Sequence, residues 1–137
     1  MSKKICILLF VVSLFFFSCT VQKGPNMKEG LWYITVKMDV PGMPVQIPPK
    51  TYTQCLTQKE AVPKPKEANN NCEIVKQDVK GETVSWKVEC KTKEGTAVSD
   101  GTITYKGDTM EGVITMKQGD MKATQRLSGR WIGKCNK

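Results

Sequence analysis

Soft sulfur ligands are the least ordinary chemistry in this 137-residue chain. Thioethers suit Cu(I). Met43, in the stretch "PGMP", stands outside any strand pattern, and Met110 and Met116 lie further along the chain. These three are the copper candidates. Yet Met38, Met110, Met116 and Met121 all fall on apolar positions of alternating segments, where methionine commonly fills core. There is no His to share a metal and no close Met-x-x-Met cluster. Core packing therefore outweighs a metal site, and no cofactor is expected.

Catalytic constellations are missing at the level of residue types. Without His there is no Ser-His-Asp or Cys-His nucleophile and no imidazole acid–base group. The carboxylates, among them Glu60, Glu67, Glu73, Asp78, Glu111 and Asp120, are dispersed. Several sit beside Gly in turn-like joints, where Asp serves backbone geometry. No P-loop, G-x-S-x-G or calcium-loop spacing occurs. An enzyme is not expected.

The six cysteines carry more information. Cys6 belongs to an N-terminal leader. Lys3 and Lys4 precede an apolar run at residues 5–17, broken only by Ser13. Thirteen residues fit the h-region of an export signal and fall short of a spanning helix. Phe16-Phe17-Ser18-Cys19 resembles a bacterial lipobox, with the small Ser18 before Cys19. Phe16 stands where Leu is typical, and Phe17 where a smaller residue is typical. The expected organisation is a lipoprotein signal at 1–18, a lipidated Cys19 with its tether at 19–28, and one domain at 29–137. Ordinary secretion to the periplasm is the alternative. Acylation of Cys19 leaves an even set: Cys55, Cys72, Cys90 and Cys135. In an exported domain of this size that reads as two disulfides. Four cysteines with no CxxC pair and no His make a poor zinc pattern.

Four cysteines allow three connectivities, and strand register narrows them. "CEIVKQDVKGETVSWKVEC" reads as a hairpin turning at Lys80-Gly81. In its second arm Val84, Trp86, Val88 and Cys90 share one face, and directly opposed residues lie on the same face. A register setting Ile74 against Trp86 or Val88 puts Cys72 on the same face as Cys90. Cys72–Cys90 is therefore favoured, which leaves Cys55–Cys135.

The rest of the chain is strand punctuated by turns. Trp32, Ile34, Val36, Met38 and Val40 alternate with Tyr33, Thr35, Lys37 and Asp39, the period of a half-buried strand. Pro41, Pro44, Pro48 and Pro49 exclude residues 41–50 from a central strand. "TYTQCL" offers a short strand, and Thr57 and Glu60 have capping-box spacing. Strand patterns follow at 72–79, 83–91, 97–106, 110–117 and 121–130, joined by Gly-containing turns. Gln125 interrupts the apolar face of the last. The expected fold is all-β: an antiparallel meander of about six to eight strands, curled into a half-barrel or small barrel, with a β-sandwich as the alternative.

Lys3 and Lys4 leave with the leader, so the net charge of +8 becomes +6. Most cations fall on polar strand positions and serve solubility. The sharper reading is contact with anionic envelope components. Nucleic acid is not expected as a partner of an exported chain.

"EGLWYITVKMDVPGMPVQIPPKTYTQCLT", the pair Cys72 and Cys90, and the closing "LSGRWIGKC" resemble the domain-of-unknown-function 3617 family. The resemblance covers about Lys28 to Cys135. It implies a small exported or lipid-anchored β-rich protein of Gram-negative bacteria, and it carries no activity. The expectation is an outer-membrane lipoprotein facing the periplasm, acting as a non-enzymatic binding or structural module of the envelope. The alternatives are a Met-based copper(I) protein and a carrier of small apolar ligands.

Overall fold

The computed structural model describes residues 24–62 and 71–136. The leader, Cys19 and most of the polar stretch after Val62 lie outside the described residues. Seven strands form a single antiparallel sheet: β1 (Gly30–Asp39), β2 (Lys50–Leu56), β3 (Cys72–Lys80), β4 (Thr83–Thr92), β5 (Gly95–Tyr105), β6 (Thr109–Gln118) and β7 (Met121–Gly133). A single 3-10 turn, η1 (Gln58–Glu60), follows β2.

The order across the sheet is β2-β1-β7-β6-β5-β4-β3. β3 to β7 run in order as the expected meander, and the β1–β2 hairpin adds to its β7 edge. β2 and β3 are consecutive in sequence but lie at opposite edges. The last strand pairs with the first, from Leu31 opposite Gly133 to Asp39 opposite Thr124, so β1 has no free side left for β3. Among the described residues the sheet is open and does not close into a barrel, and no second sheet makes a sandwich. After η1 the chain packs Ala61 and Val62 onto the concave face, where both are buried.

That face holds the core. Trp32, Val84, Ile103 and Tyr105 are its most deeply buried large side chains. Trp32 and Tyr105 meet edge to face with ring centroids 6.1 Å apart, a favoured aromatic geometry. Both polar tips are satisfied. Trp32 Nε1–H donates to the Lys28 carbonyl at 2.9 Å, and the Tyr105 hydroxyl donates to the Ala61 carbonyl at 2.9 Å.

Curvature comes from a staircase of glycines. Trp86 on β4 is directly opposite Gly101 on β5. Ile103 on β5 is opposite Gly112 on β6, and Met110 on β6 is opposite Gly129 on β7. A Cβ placed on Gly101 would strike the Trp86 ring, and one on Gly112 would lie 2.6 Å from Ile103 Cγ1. One on Gly129 would lie 2.6 Å from Met110 Cε. Each large side chain thus lies over the bare backbone of the next strand. Glycine used this way lets a sheet bend.

Two disulfides tie the ends of the domain. Cys72 opposes Cys90 in the β3–β4 ladder and is bonded to it. A bulge between Ile74 and Lys76 shifts the register beyond that pair. Cys55 on β2 is bonded to Cys135 just past β7, across 80 residues of sequence.

Two stability predictions follow from this arrangement. Gly101→Val should destabilise the domain by about 1–3 kcal/mol, as overpacking does, measured by denaturant unfolding. Replacing both Cys55 and Cys135 by Ser should cost about 4–5 kcal/mol, against about 3 for the Cys72/Cys90 pair with its 18-residue separation.

Candidate functional site

Among the described residues nothing fills the part of the concave face nearest β2. Between β1, β2, β7 and the segment after η1 lies an open groove of about 600 Å³. Its floor is apolar: Ile34 and Val36 from β1, Ile103 from β5, Ile114 from β6 and Leu127 from β7. Strand alternation puts these side chains on one face. Ile34 is opposite Tyr52 in the β1–β2 ladder, and Val36 is opposite Leu127 in the β1–β7 ladder. Val62 and Tyr105 form the wall toward the packed core.

Four polar side chains reach this apolar surface: Tyr52 and Gln54 from β2, Gln125 from β7, and Glu60 from η1. Gln125 is opposite Ile114 and Met38, so its amide lies among apolar neighbours. The Glu60 carboxylate is partly committed. Its Oε2 accepts from the Thr57 N–H at 3.2 Å and from the Thr57 hydroxyl at 2.9 Å. No side-chain hydrogen bond among the described residues engages Tyr52, Gln54 or Gln125, so these groups are free to meet a ligand. Burial pushes the Tyr52 phenol above its ordinary range, and the Tyr105 phenol further still. Both remain protonated donors at physiological pH.

The wall is held from outside the groove. The Gln58 N–H donates to Glu29 Oε1 at 2.8 Å. Gln58 Nε2 donates to the Pro25 and Met27 carbonyls at 3.2 and 2.9 Å. With the Tyr105 bond to Ala61, these contacts fix where the chain crosses the sheet.

The sequence-derived metal candidates do not converge. Met43 lies exposed in the loop between β1 and β2, and Met110 is buried over Gly129. Met116 is six residues along the same strand from Met110, about 20 Å at strand rise. Met121, expected on an inward face, is instead 67% exposed beside the β6–β7 turn. Among the described residues no cluster of three or more His, Cys, Asp or Glu could hold a metal. Cys19 lies outside the described residues. Tyr52 and Gln54 were not legible as site residues, because "TYTQCL" mixes polar and apolar residues on both faces. Gln125 left a signal: one amide in an otherwise apolar row.

The family model described as "Protein of unknown function (DUF3617)" matches residues 27–135. The chain belongs to the DUF3617 family. No curated protein and no solved structure matches it. In this DUF3617 domain the matched span runs from Met27, buried at the start of the fold, to Cys135, the closing disulfide partner. It takes in every strand and every residue of the groove.

Tyr105→Phe should leave the Ala61 carbonyl without its donor and cost about 1–3 kcal/mol. An unfolded tyrosine ionises near pH 10, whereas the buried phenol resists ionisation. The phenol's contribution is therefore intact below pH 10 and is lost as pH rises beyond it. In denaturant titrations from pH 9 to 12, Tyr105→Phe should show a shallower decline in stability than the wild type.

Proposed function

We propose that this protein is a lipid-anchored, non-enzymatic binding module of the bacterial envelope, and that its concave groove holds a small, mainly apolar ligand. The observation that carries the reading is the open groove of about 600 Å³, apolar in its floor and set with the Tyr52, Gln54 and Gln125 side chains. Small-molecule sites are typically concave, about 300–1,000 Å³, mostly apolar and furnished with a few orienting polar groups. The two glutamines and the phenol would fix the polar end of the ligand while Ile34, Val36 and Ile114 take its body.

The leader supports the location. A 13-residue apolar run ending in Ser18-Cys19 fits export followed by acylation of Cys19. Several acyl chains would anchor the protein firmly, since each buried CH2 contributes about 0.8 kcal/mol. Thr20, rather than Asp, after the cysteine fits the outer membrane facing the periplasm. Seven residues separate Cys19 from Met27, the first buried core residue, so a short tether would keep the groove close to its membrane.

Native mass spectrometry of the protein purified from its own envelope should reveal a retained small molecule. A neutral apolar fluorophore such as N-phenyl-1-naphthylamine should bind and be displaced by that molecule. Val36→Trp, which fills the groove floor, should abolish both signals at unchanged circular dichroism. An empty protein that also fails to bind the fluorophore would refute the groove. Independently, Cys19→Ala should release the protein from acyl-dependent membrane association, and unchanged labelling by a clickable fatty acid would refute the anchor.

A further inference from the structure

The β1–β2 loop is unlike any other joint in the fold. Residues 40–49, "VPGMPVQIPP", carry no charge. Val45 is 70% exposed and Met43 is 54% exposed. The loop is also preorganised. The Met43 N–H donates to the Val40 carbonyl at 3.2 Å, and Pro41 followed by Gly42 at φ +86° has the signature of a type II turn. Four of its ten residues are prolines, which have no N–H to desolvate. Exposed apolar side chains on a stiff, donor-poor backbone are suited to a medium that offers few hydrogen bonds.

Cations surround this tip. Lys37 and Lys50 flank it on β1 and β2, and Arg126 is directly opposite Lys37. Lys117 and Lys122 oppose each other at the start of the β6–β7 turn. The β1–β7 ladder ends with Asp39 opposite Thr124, two residues from Lys122 and three from the exposed Met121. All five cations are exposed, and no ion pair among the described residues engages them. Two carboxylates, Asp39 and Asp120, share this end, so cations prevail. Opposed like charges in a ladder are unfavourable, and an anionic surface would relieve them.

We infer that residues 40–49 are a membrane-contacting tip: Met43 and Val45 enter the headgroup layer of an anionic phospholipid bilayer while the five cations hold its charge. An apolar tip ringed by cations meets such a surface with both hydrophobic and electrostatic attraction. The tip lies at the end of β1 opposite Gly30, where the chain arrives from its tether. The ten residues of β1 separate the two ends by about 30 Å.

Vesicle flotation tests this on the chain from Thr20 onward, which contains the whole described sheet, its core and both disulfides. Vesicles of phosphatidylcholine with one-third phosphatidylglycerol should float the protein, and pure phosphatidylcholine should not. Each cation near an anionic leaflet raises affinity about fivefold, so Lys37→Gln with Lys122→Gln should weaken binding about 25-fold. Val45→Asp should abolish flotation at an unchanged melting curve. In Val45→Trp, the indole emission should shift to the blue on adding anionic vesicles. Lack of flotation, equal flotation with both lipids, or flotation indifferent to Val45→Asp would overturn the proposal. Such a result would leave the tip as a contact for another protein. The groove's ligand plays no part in this test.

Discussion

The concave face can bend only where backbone lies bare beneath a large side chain. Gly101, Gly112 and Gly129 provide that on three successive strands, under Trp86, Ile103 and Met110. Trp131 extends the series to β1, where a Cβ on Gly30 would meet its indole. With side chains at these positions the neighbours would be pushed outward and the sheet would flatten. Flattening would uncover Trp32 and Tyr105 and remove the surface on which residues 61 and 62 rest. The groove beside them is a product of the same bend. It lies toward β2, beside the part of the face that residues 61 and 62 cover.

Much of the architecture was legible because alternation is a strong signal. The rows led by Trp32 and Val84 did bury one face. The even register expected of the β3–β4 hairpin holds at Ile74–Val88 and Cys72–Cys90, whereas from Lys76 to Lys80 the arms pair one residue out of it, and the bulge after Ile74, which the sequence did not show, brings the cysteines together. Thr57 and Glu60 do make a local reach-back contact. The meander from β3 to β7 was legible, but the place where the β1–β2 hairpin joins it was not. Whether β3 follows β2 or pairs elsewhere depends on which strand takes the second side of β1, a contact between residues about 100 apart in sequence. Local pattern carries no trace of that choice. The glycine staircase was equally hidden, because a glycine within a strand looks like a weakness until its cross-strand neighbour is known.

The groove shows a related limit. Its apolar floor was predicted as core, and half of that face is indeed core. What separates core from groove is coverage by residues 61 and 62, fixed by the Tyr105 hydroxyl and by Gln58. These are bonds between distant parts of the chain. Gln125 alone hinted at an uncovered surface, since an amide in a fully packed row would need a partner.

Gly30, on the N-terminal side, and Asp39, next to the apolar loop, are the two ends of β1. Tension between them would therefore run along the covalent backbone of β1. It would not pull adjacent strands past one another, as it would if the load entered and left on different strands. The ladders to β2 and β7 would brace β1 without bearing the load in shear. In mechanical terms the domain would act as a strut with a single continuous spine, and the groove floor at Ile34 and Val36 lies on that spine. A pull on either end would leave the shape of the groove, and whatever it holds, largely undisturbed.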